Sequence, residues 1–333
     1  MHYIGMDVHA KVTMICMLDE AGKVLKEQVV KGPLTEVVGA ARRWPRPFKV
    51  CYEATCGYGW LHDQLKGLAG QVVVAHPGKV RMIFSAKRKT DRIDARKLAT
   101  LLFLDQVPVV HVPPAQRRQW RALIEYRHRL VSRRTAVKNM LRALLRSQGL
   151  KAPRSLWSGK GRAWLVEQAM AEWDSLRREM LLEELDQLSR RIASLEGALD
   201  RQGAAEPGVS LLRTIPGVGP RTAEAVVAYI DDPDRFGRNK SIGCYFGLVP
   251  CEDTSVKRRL GHITHEGPPT VRRLVVEACW QATRRDAGLK AYFERISAGK
   301  KDRKKIALVA TAHHLLRVML AMLRTGEVWR GAA

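Results

Sequence analysis

The chain is short of acidic residues relative to basic ones. Asp and Glu total 33 against 58 Lys and Arg, which gives a net charge of +25. This imbalance favours a polyanionic partner such as nucleic acid, because each cation that neutralises a phosphate releases counterions. A soluble cationic protein and a protein that adheres to anionic membranes are the alternatives at this stage.

Three other features are missing from the sequence. The six cysteines form no CxxC pair and no zinc-type arrangement with histidine, which excludes a zinc finger and predicts reduced thiols. The amino terminus, MHYIGMDVHA, lacks the basic and then apolar run of an export signal. The most apolar segment, IALVATAHHLLRVMLAML, is interrupted by two His and one Arg, so it predicts a packed helix and not a membrane span. We therefore expect a cytoplasmic protein with no membrane partner.

The hydrophobic pattern of the first third predicts a mixed α/β domain. Residues 1–112 begin with strand-like segments and then alternate strands with helices. The segment TDRIDARKLATLLFL predicts a helix whose apolar face includes Ile93 and Leu98. Three prolines within residues 107–114 predict a linker that leaves the domain.

The rest of the chain has a helical pattern. Within residues 113–205, apolar residues recur every seven positions from Leu123 to Leu144, and a later leucine-rich run alternates steps of four and three. This predicts two long helices that pair with each other or with another copy of the chain. The segment GAAEPG at 203–208 predicts a second linker. Residues 206–333 predict a mostly helical third domain.

Four acidic residues are candidate metal ligands. They are Asp7 in YIGMDVH, Glu53 in VCYEAT, and Asp91 and Asp94 in KTDRIDA. Two strands and one helix would carry them, and positions i and i+3 share a helix face. Carboxylates that converge in this way hold two divalent ions for phosphodiester chemistry, and Mg²⁺ suits such hard oxygen ligands. Taken singly, each acid also has an ordinary structural interpretation, such as a helix cap or a surface ion pair.

Two further segments are candidates for nucleic-acid binding. The first long helix carries more cations than a solvated face requires, and those predicted to bind phosphates are Arg127, Arg133, Arg134, Lys138 and Arg142. The segment IPGVGPRTA matches a helix–hairpin–helix turn, in which Gly217 and Gly219 would let backbone amides approach a phosphate. A soluble coiled coil and an ordinary tight turn are the alternatives.

A candidate nucleophile lies in the segment YFGLVPCEDTSVKRRLGHITHEG. Ser255 stands just before a run of cations. These are Lys257, Arg258 and Arg259, and they would hold a phosphate and offset charge in the transition state. A serine hydroxyl attacks only when a base or a metal ion helps to remove its proton. On chemistry alone, Thr254 is an equally plausible nucleophile.

Taken together, these motifs resemble the DEDD-type insertion-sequence transposases, the family of bridge-RNA-guided recombinases that is related to the pilin-gene invertases. The resemblance runs nearly from end to end and includes IGMDVH, YEAT, KTDRIDA, IPGVGPRTA and GLVPCEDTS with KRRLGHIT. It implies an RuvC-like catalytic domain of RNase H fold at 1–112 and a coiled-coil region for dimerisation and RNA binding at 113–205. It also implies a transposase domain at 206–333 that carries the catalytic serine.

The same resemblance implies a reaction and its partners. The four acids would bind Mg²⁺, and Ser255 would attack a DNA phosphodiester and become joined to the 5′ phosphate. A noncoding bridge RNA would pair with donor and target DNA, and the protein would work as a tetramer assembled from dimers. Two departures from the family pattern are Cys56, which precedes Gly57, and Val256-Lys257 after the serine.

Two other functions are compatible with parts of this pattern. A junction-cleaving nuclease would use the same acids with water as nucleophile and would not need Ser255. A nucleic-acid-binding protein without activity would need only the cations. Metal-dependent product formation separates the second from the others, and free cleaved ends identify the first.

Overall fold

The protein is described here by a computed structural model covering residues 1–83, 91–254 and 258–331, and the side chains of residues 253–260 lie outside that description. Within these ranges the chain is a mixed α/β protein in which helices predominate. This confirms the predicted fold class at that level. The chain divides into two compact units, Met1–Arg118 and Gln119–Ala333. The finer division into three domains stays a prediction.

The first unit is built on a five-stranded sheet. Its strands are β1 (His2–Val8), β2 (Val12–Leu18), β3 (Val24–Lys31), β4 (Phe48–Glu53) and β5 (Gln71–Ala75). They lie in the order β3-β2-β1-β4-β5. Strands β1, β2 and β3 are antiparallel neighbours, whereas β1, β4 and β5 run parallel. The carboxyl ends of β1 and β4 therefore meet at the same edge of the sheet.

In the part of the chain that the structure describes, four helices lie wholly within this unit, and they cover both faces of the sheet. They are α1 (Leu34–Ala41), α2 (Tyr58–Leu65), α3 (Pro77–Ile83) and α4 (Asp91–Phe103). One face packs against α1 and α2, because Ile4 and Met6 of β1 share a core with Val37 and Leu61. The opposite face is covered by α4, whose Leu98 shares a second core with strand residues.

Helix α4 approaches β1 very closely. A Cβ at Gly5 would lie 2.3 Å from the backbone nitrogen of Ala99, so only glycine fits there. The predicted apolar face of this helix is correct at Leu98, which is 1% exposed, but not at Ile93, which is 39% exposed. The physical reason is spacing. Ile93 and Leu98 are five residues apart, and each residue of an α-helix advances by about 100° around the axis. The two side chains therefore point roughly 140° apart, which places Ile93 outside the buried face.

The segment predicted as an exit linker lies against the sheet. Val109 forms an isolated antiparallel bridge with Ala75 of β5. Two backbone hydrogen bonds accompany it: the Val110 N–H donates to the carbonyl of Val74, and the His76 N–H donates to that of Pro108. Prolines 113 and 114 then precede the next helix. The proline content therefore identifies irregular backbone correctly, while its pairing with β5 was not predicted.

The second unit is mainly helical. Its helices are α5 (Ala115–Ser147), which begins in the first unit, α6 (Gly159–Glu167), α7 (Glu172–Ala204), α8 (Pro207–Leu212), α9 (Pro220–Ile230), α10 (Ser241–Tyr245), α11 (Pro269–Arg285), α12 (Ala287–Ser297) and α13 (Lys304–Thr325). A short hairpin of β6 (Pro250–Thr254) and β7 (Arg258–Ile263) interrupts them. This hairpin was not predicted.

The two long helices α5 and α7 pack against each other within one chain. Leu130, Val137 and Leu141 of α5 share a core with Leu185 and Leu188 of α7. The intramolecular pairing is therefore present in this chain, and pairing with another copy stays a prediction. The segment 203–208, predicted as a linker, is occupied by helix ends, since α7 ends at Ala204 and α8 begins at Pro207.

The apolar helix α13 belongs to the core of the second unit. By length and composition it is apolar enough to cross a membrane. Its residues Leu315, Leu316 and Leu320 are nevertheless fully buried against Val226 and Val275 of neighbouring helices. Core packing accounts for its composition, as the sequence predicts.

Candidate metal centre

Asp7 and Glu53 lie side by side at the carboxyl ends of β1 and β4. Gly5 pairs with Cys51 in the parallel register. Asp7 and Glu53 each lie two residues further along their strands, so they occupy neighbouring positions. Cys51 packs into the core that contains Leu98 of α4. Because side chains alternate along a strand, Asp7 and Glu53 point to the same face as Gly5 and Cys51. Both acids therefore face the side of the sheet that α4 covers.

The first turn of α4 brings two more acids to Asp7. The helix begins at Asp91, one turn before Ala95, which rests on Gly5. Burial raises the pKa of Asp7, charge and hydrogen bonding from His9 lower it, and the charges of Asp91 and Asp94 raise it. The like charges act on Asp7 only because they are close to it. Asp91 thus lies close to Asp7, and the charge of Asp94 also acts on Asp7.

His9 is a fourth side chain in this cluster, and sequence reasoning missed it. Its Nε2 lies 3.2 Å from Oδ2 of Asp7 and 3.8 Å from Oδ1 of Asp91. One ligand atom from each of these three residues lies within 4.8 Å of the others. The signal was present in the motif, because residues 7 and 9 are two apart at the end of a strand and so point the same way.

Asp94 and Glu53 flank the group of three. Nζ of Lys97 lies 3.0 Å from Oδ1 of Asp94, so this carboxylate is held by a cation one turn along its own helix. Burial and the charge of Glu53 together raise the pKa of the Cys51 thiol to about 12, as expected for two residues on the same face of one strand. Among the described residues, Asp7, His9 and Asp91 form the tightest set of ligand atoms.

This donor set fits a divalent metal ion. Two carboxylate oxygens and one imidazole nitrogen already lie close enough together to share one ion. The carboxylate of Asp7 is only 17% exposed, and the repulsion among the aspartates would be relieved by a bound cation. In such a site, Asp7 and Asp91 would hold the ion, with Glu53 and Asp94 beside them.

Comparison with known proteins identifies the family. Residues 4–148 match the DEDD transposase model of the IS110 group, and residues 209–294 match the transposase family IS116/IS110/IS902. The chain belongs to the DEDD-type insertion-sequence transposases. The first matched region includes the positions of all four predicted acids, and their roles as metal ligands stay a prediction.

Individual relatives are similar over nearly the whole chain. The transposase for insertion sequence element IS1111A of Coxiella burnetii is 26% identical over 99% of this chain and 92% of the relative. A probable family 20 transposase of Pseudomonas aeruginosa is 28% identical over 98% of both chains. The transposase for IS1328 of Yersinia enterocolitica is 26% identical over 82% of this chain and 81% of the relative. The activity class is that of a DNA transposase.

The predicted nucleophile of the transposase falls outside the described part of the chain. Ser255 and Lys257 lie in the undescribed stretch 255–257. Arg258 and Arg259 begin strand β7, but their side chains are also outside the description. Strand β6 ends at Thr254, directly before Ser255. The roles of these residues stay predictions.

Four of the five cations on α5 that are predicted to bind nucleic acid contact other residues of the second unit. The guanidinium of Arg127 forms an ion pair with Glu196 of α7, and Arg133 lies 3.4 Å from Glu184. Lys138 and Arg142 lie over the ring of Trp157, at 5.0 and 5.3 Å from its centroid. Burial and the neighbouring Arg134 and Arg142 lower the pKa of Lys138. These contacts show packing roles, and phosphate binding by the five cations stays a prediction.

The two glycines of the predicted helix–hairpin–helix turn differ in their surroundings. Gly217 has φ +91°, and a Cβ there would lie 2.6 Å from the backbone nitrogen of Ala282 in α11. Close packing therefore explains this glycine. Gly219 is the N-cap of α9, and a Cβ there would meet no described heavy atom within 4 Å. The open backbone at Gly219 is compatible with the predicted approach of a phosphate.

Proposed function

We propose that this transposase cuts and rejoins DNA strands with Mg²⁺ held by Asp7, Glu53, Asp91 and Asp94 and with Ser255 as nucleophile. The convergence of Asp7 and Asp91 at one end of the sheet is the observation that carries the proposal. An ion bound there would supply Lewis-acid stabilisation of the charge that develops on phosphate oxygens. Neither a large apolar pocket nor a covalent cofactor is required for this chemistry.

We further assign the first unit to the RuvC-like, RNase H-type fold. Three antiparallel strands followed by two parallel ones, in the order β3-β2-β1-β4-β5, support the assignment. So does the position of the acids, which come from the central strand β1, its neighbour β4 and a helix that crosses β1. Strands β1 and β4 are each paired on both sides, so the backbone that carries Asp7 and Glu53 is held by two neighbouring strands.

In the proposed reaction the Oγ of Ser255 forms a bond to the scissile phosphorus and its proton passes to solvent. The P–O3′ bond breaks, and the 3′ oxygen leaves with a proton as a free hydroxyl. The strand stays attached through its 5′ phosphate, and a 3′ hydroxyl of the exchanged strand reverses the step. The cations Lys257, Arg258 and Arg259 would hold the phosphate oxygens and offset their charge. The bond energy is conserved in the phosphoserine link, so rejoining needs no external energy source.

The proposal includes the partners that the family resemblance implies. A bridge RNA encoded with the element would pair with donor and target DNA and so choose the sites. The protein would act in the cytoplasm as a tetramer assembled from dimers. The net charge of +25 supports partners with dense phosphate charge, since it provides many counterion-releasing contacts.

The central test is capture of the covalent intermediate. The full-length protein is incubated with guide RNA, labelled paired DNAs and Mg²⁺, and an SDS-resistant protein–DNA adduct is expected. Ser255→Ala should abolish the adduct, whereas the neighbouring Thr254→Val should retain it. An adduct that persists in Ser255→Ala would remove this serine from the role.

The same experiment distinguishes the alternatives. Free cleaved ends without an adduct, unchanged in Ser255→Ala, would identify a nuclease that uses water. Nucleic-acid binding without any metal-dependent product would identify a binding protein. In both cases Asp7→Asn is the variant that lacks the proposed metal centre. Glu20→Gln removes one exposed acid elsewhere and is its matched control.

A further inference from the structure

The imidazole of His9 is directed at the site where the metal ion is proposed to bind. Its Nε2 lies 3.2 Å from Asp7 Oδ2 and 3.8 Å from Asp91 Oδ1, so the nitrogen faces two carboxylate oxygens from different elements. The ring itself is 55% exposed, which leaves it open to a substrate or to water on its other side. This direction is compatible either with a hydrogen bond to Asp7 or with a cation shared by the three side chains.

The backbone around His9 fixes this position. Strand β1 ends at Val8, and the His9 N–H donates a hydrogen bond to the carbonyl of Val12 at the start of β2. Val8 pairs with Thr13 in the same hairpin. His9 therefore sits in a tight turn between two paired strands, and its Cα is held by the sheet that holds Asp7. A side chain carried on such rigid backbone loses little conformational freedom when it binds a ligand.

The chemistry of the group matches a mixed ligand set. Neutral imidazole is a common metal ligand and prefers borderline transition ions, whereas carboxylates suit Mg²⁺ and Mn²⁺. With the three ligand atoms within 4.8 Å of one another, one ion can contact all three after small side-chain movements. The alternative is that His9 only donates a hydrogen bond to Asp7, at the same 3.2 Å.

We propose that His9 supplies a nitrogen ligand to the divalent ion held by Asp7 and Asp91, so that the centre is a mixed nitrogen–oxygen site. The proposal rests on the metal centre of the proposed function. A nitrogen ligand strengthens the binding of Mn²⁺ more than that of Mg²⁺. The site should therefore prefer Mn²⁺ over Mg²⁺ more strongly than a site of oxygen ligands alone would. His9 would thereby influence which metal ion the transposase uses.

The test is pulsed electron paramagnetic resonance of the full-length protein loaded with Mn²⁺. We expect a nitrogen hyperfine coupling of directly bound imidazole in the unsubstituted protein, with the line pattern changed when histidine is labelled with ¹⁵N. This measurement needs no variant, so it does not depend on whether a substituted chain folds. The coupling should vanish in His9→Gln and persist in His2→Gln, which changes a histidine at the opposite end of the same strand.

Metal titration gives a second readout that is independent of turnover. His9→Gln should weaken Mn²⁺ binding by about tenfold or more and Mg²⁺ binding by a much smaller factor. Mn²⁺ bound without a coordinated nitrogen would overturn the proposal for His9 while leaving the metal centre intact. Absence of any divalent binding, equal in the unsubstituted protein and Asp7→Asn, would overturn the metal centre itself.

Discussion

The backbone oxygen of Ala95 lies 2.2 Å from the point that a Cβ on Gly5 would occupy, so helix α4 rests directly on the backbone of strand β1. This contact fixes the distance between Asp7, two residues beyond Gly5, and Asp91, one turn before Ala95. The metal centre therefore depends on a residue that carries no functional group.

Gly5→Ala should damage both stability and metal binding. The added methyl group would force α4 away from β1, at a cost of about 3 kcal/mol or more, because backbone on both sides resists the movement. Thermal unfolding and Mn²⁺ titration measure the two effects. Gly39→Ala is the matched control, since a Cβ at Gly39 would meet no heavy atom of the described residues within 4 Å. Unaltered metal affinity in Gly5→Ala would contradict the role given to this contact.

Asp7→Asn should stabilise the metal-free protein while it abolishes metal binding. Burial and the charges of Asp91 and Asp94 raise the pKa of Asp7, so its ionised form is penalised in the folded state and a neutral amide is not. The melting temperature without metal should therefore rise. Added Mg²⁺ should raise the melting temperature of the unsubstituted protein only. The control Glu20→Gln removes an acid that is 86% exposed and should leave both values unchanged.

The stability of the second unit should fall as pH rises toward neutrality because of Glu224. Burial is the main cause that raises the pKa of this carboxyl from 4.5 to about 7, while the charge of Arg221 opposes the shift. A raised carboxyl pKa means that the folded state holds the proton more tightly. The stabilisation is thus complete below about pH 4.5 and is lost as pH rises through about 7. The loss is of order 3 kcal/mol.

Glu224→Gln tests this pH dependence. The variant cannot ionise at this position. The difference in melting temperature, variant minus unsubstituted protein, should therefore be larger at pH 8 than at pH 5. Glu277→Gln, a 67% exposed acid on α11, should show no such difference. A constant offset between Glu224→Gln and the unsubstituted protein across this range would refute the assignment.

Substitutions of two arginines of α5 should distinguish a role in packing from a role in nucleic-acid binding. Arg127 is 19% exposed and paired with Glu196, so Arg127→Gln should lower the melting temperature. Arg133 is 63% exposed and has only a 3.4 Å contact with Glu184, so Arg133→Gln should leave stability nearly unchanged. If Arg133 binds a phosphate, its loss should reduce the slope of log binding constant against log salt by about one. An unchanged slope would remove Arg133 from the interface.

Much of the site was predictable because its residues obey local periodic rules. The strand ends at Asp7 and Glu53 and the helical spacing of Asp91 and Asp94 follow from hydrophobic patterns of period two and 3.6. The sheet order was not predictable, because strand pairing depends on contacts distant in sequence. His9 was not predicted, because a histidine next to a strand has no sequence signature that distinguishes a metal ligand from an ordinary surface residue.

The two segments predicted as linkers show what composition can indicate. Proline at 107–114 and glycine at 203–208 correctly mark the ends of regular elements. They do not show whether the chain then leaves the domain, as a linker would, or continues in contact with it. Val109 stays bound to β5, and only two residues separate α7 from α8. Tertiary packing overrides composition at both places.

The bridge between Val109 and Ala75 also determines where the first unit can be truncated. Strand β5 is the last of the five strands, and the segment around Val109 occupies part of its outer side. A fragment that stopped before Pro108 would leave the backbone donors and acceptors of β5 open along that side, where a second molecule can add its own strand. A soluble fragment of the first unit therefore has to include the part of the proline-containing segment that pairs with β5.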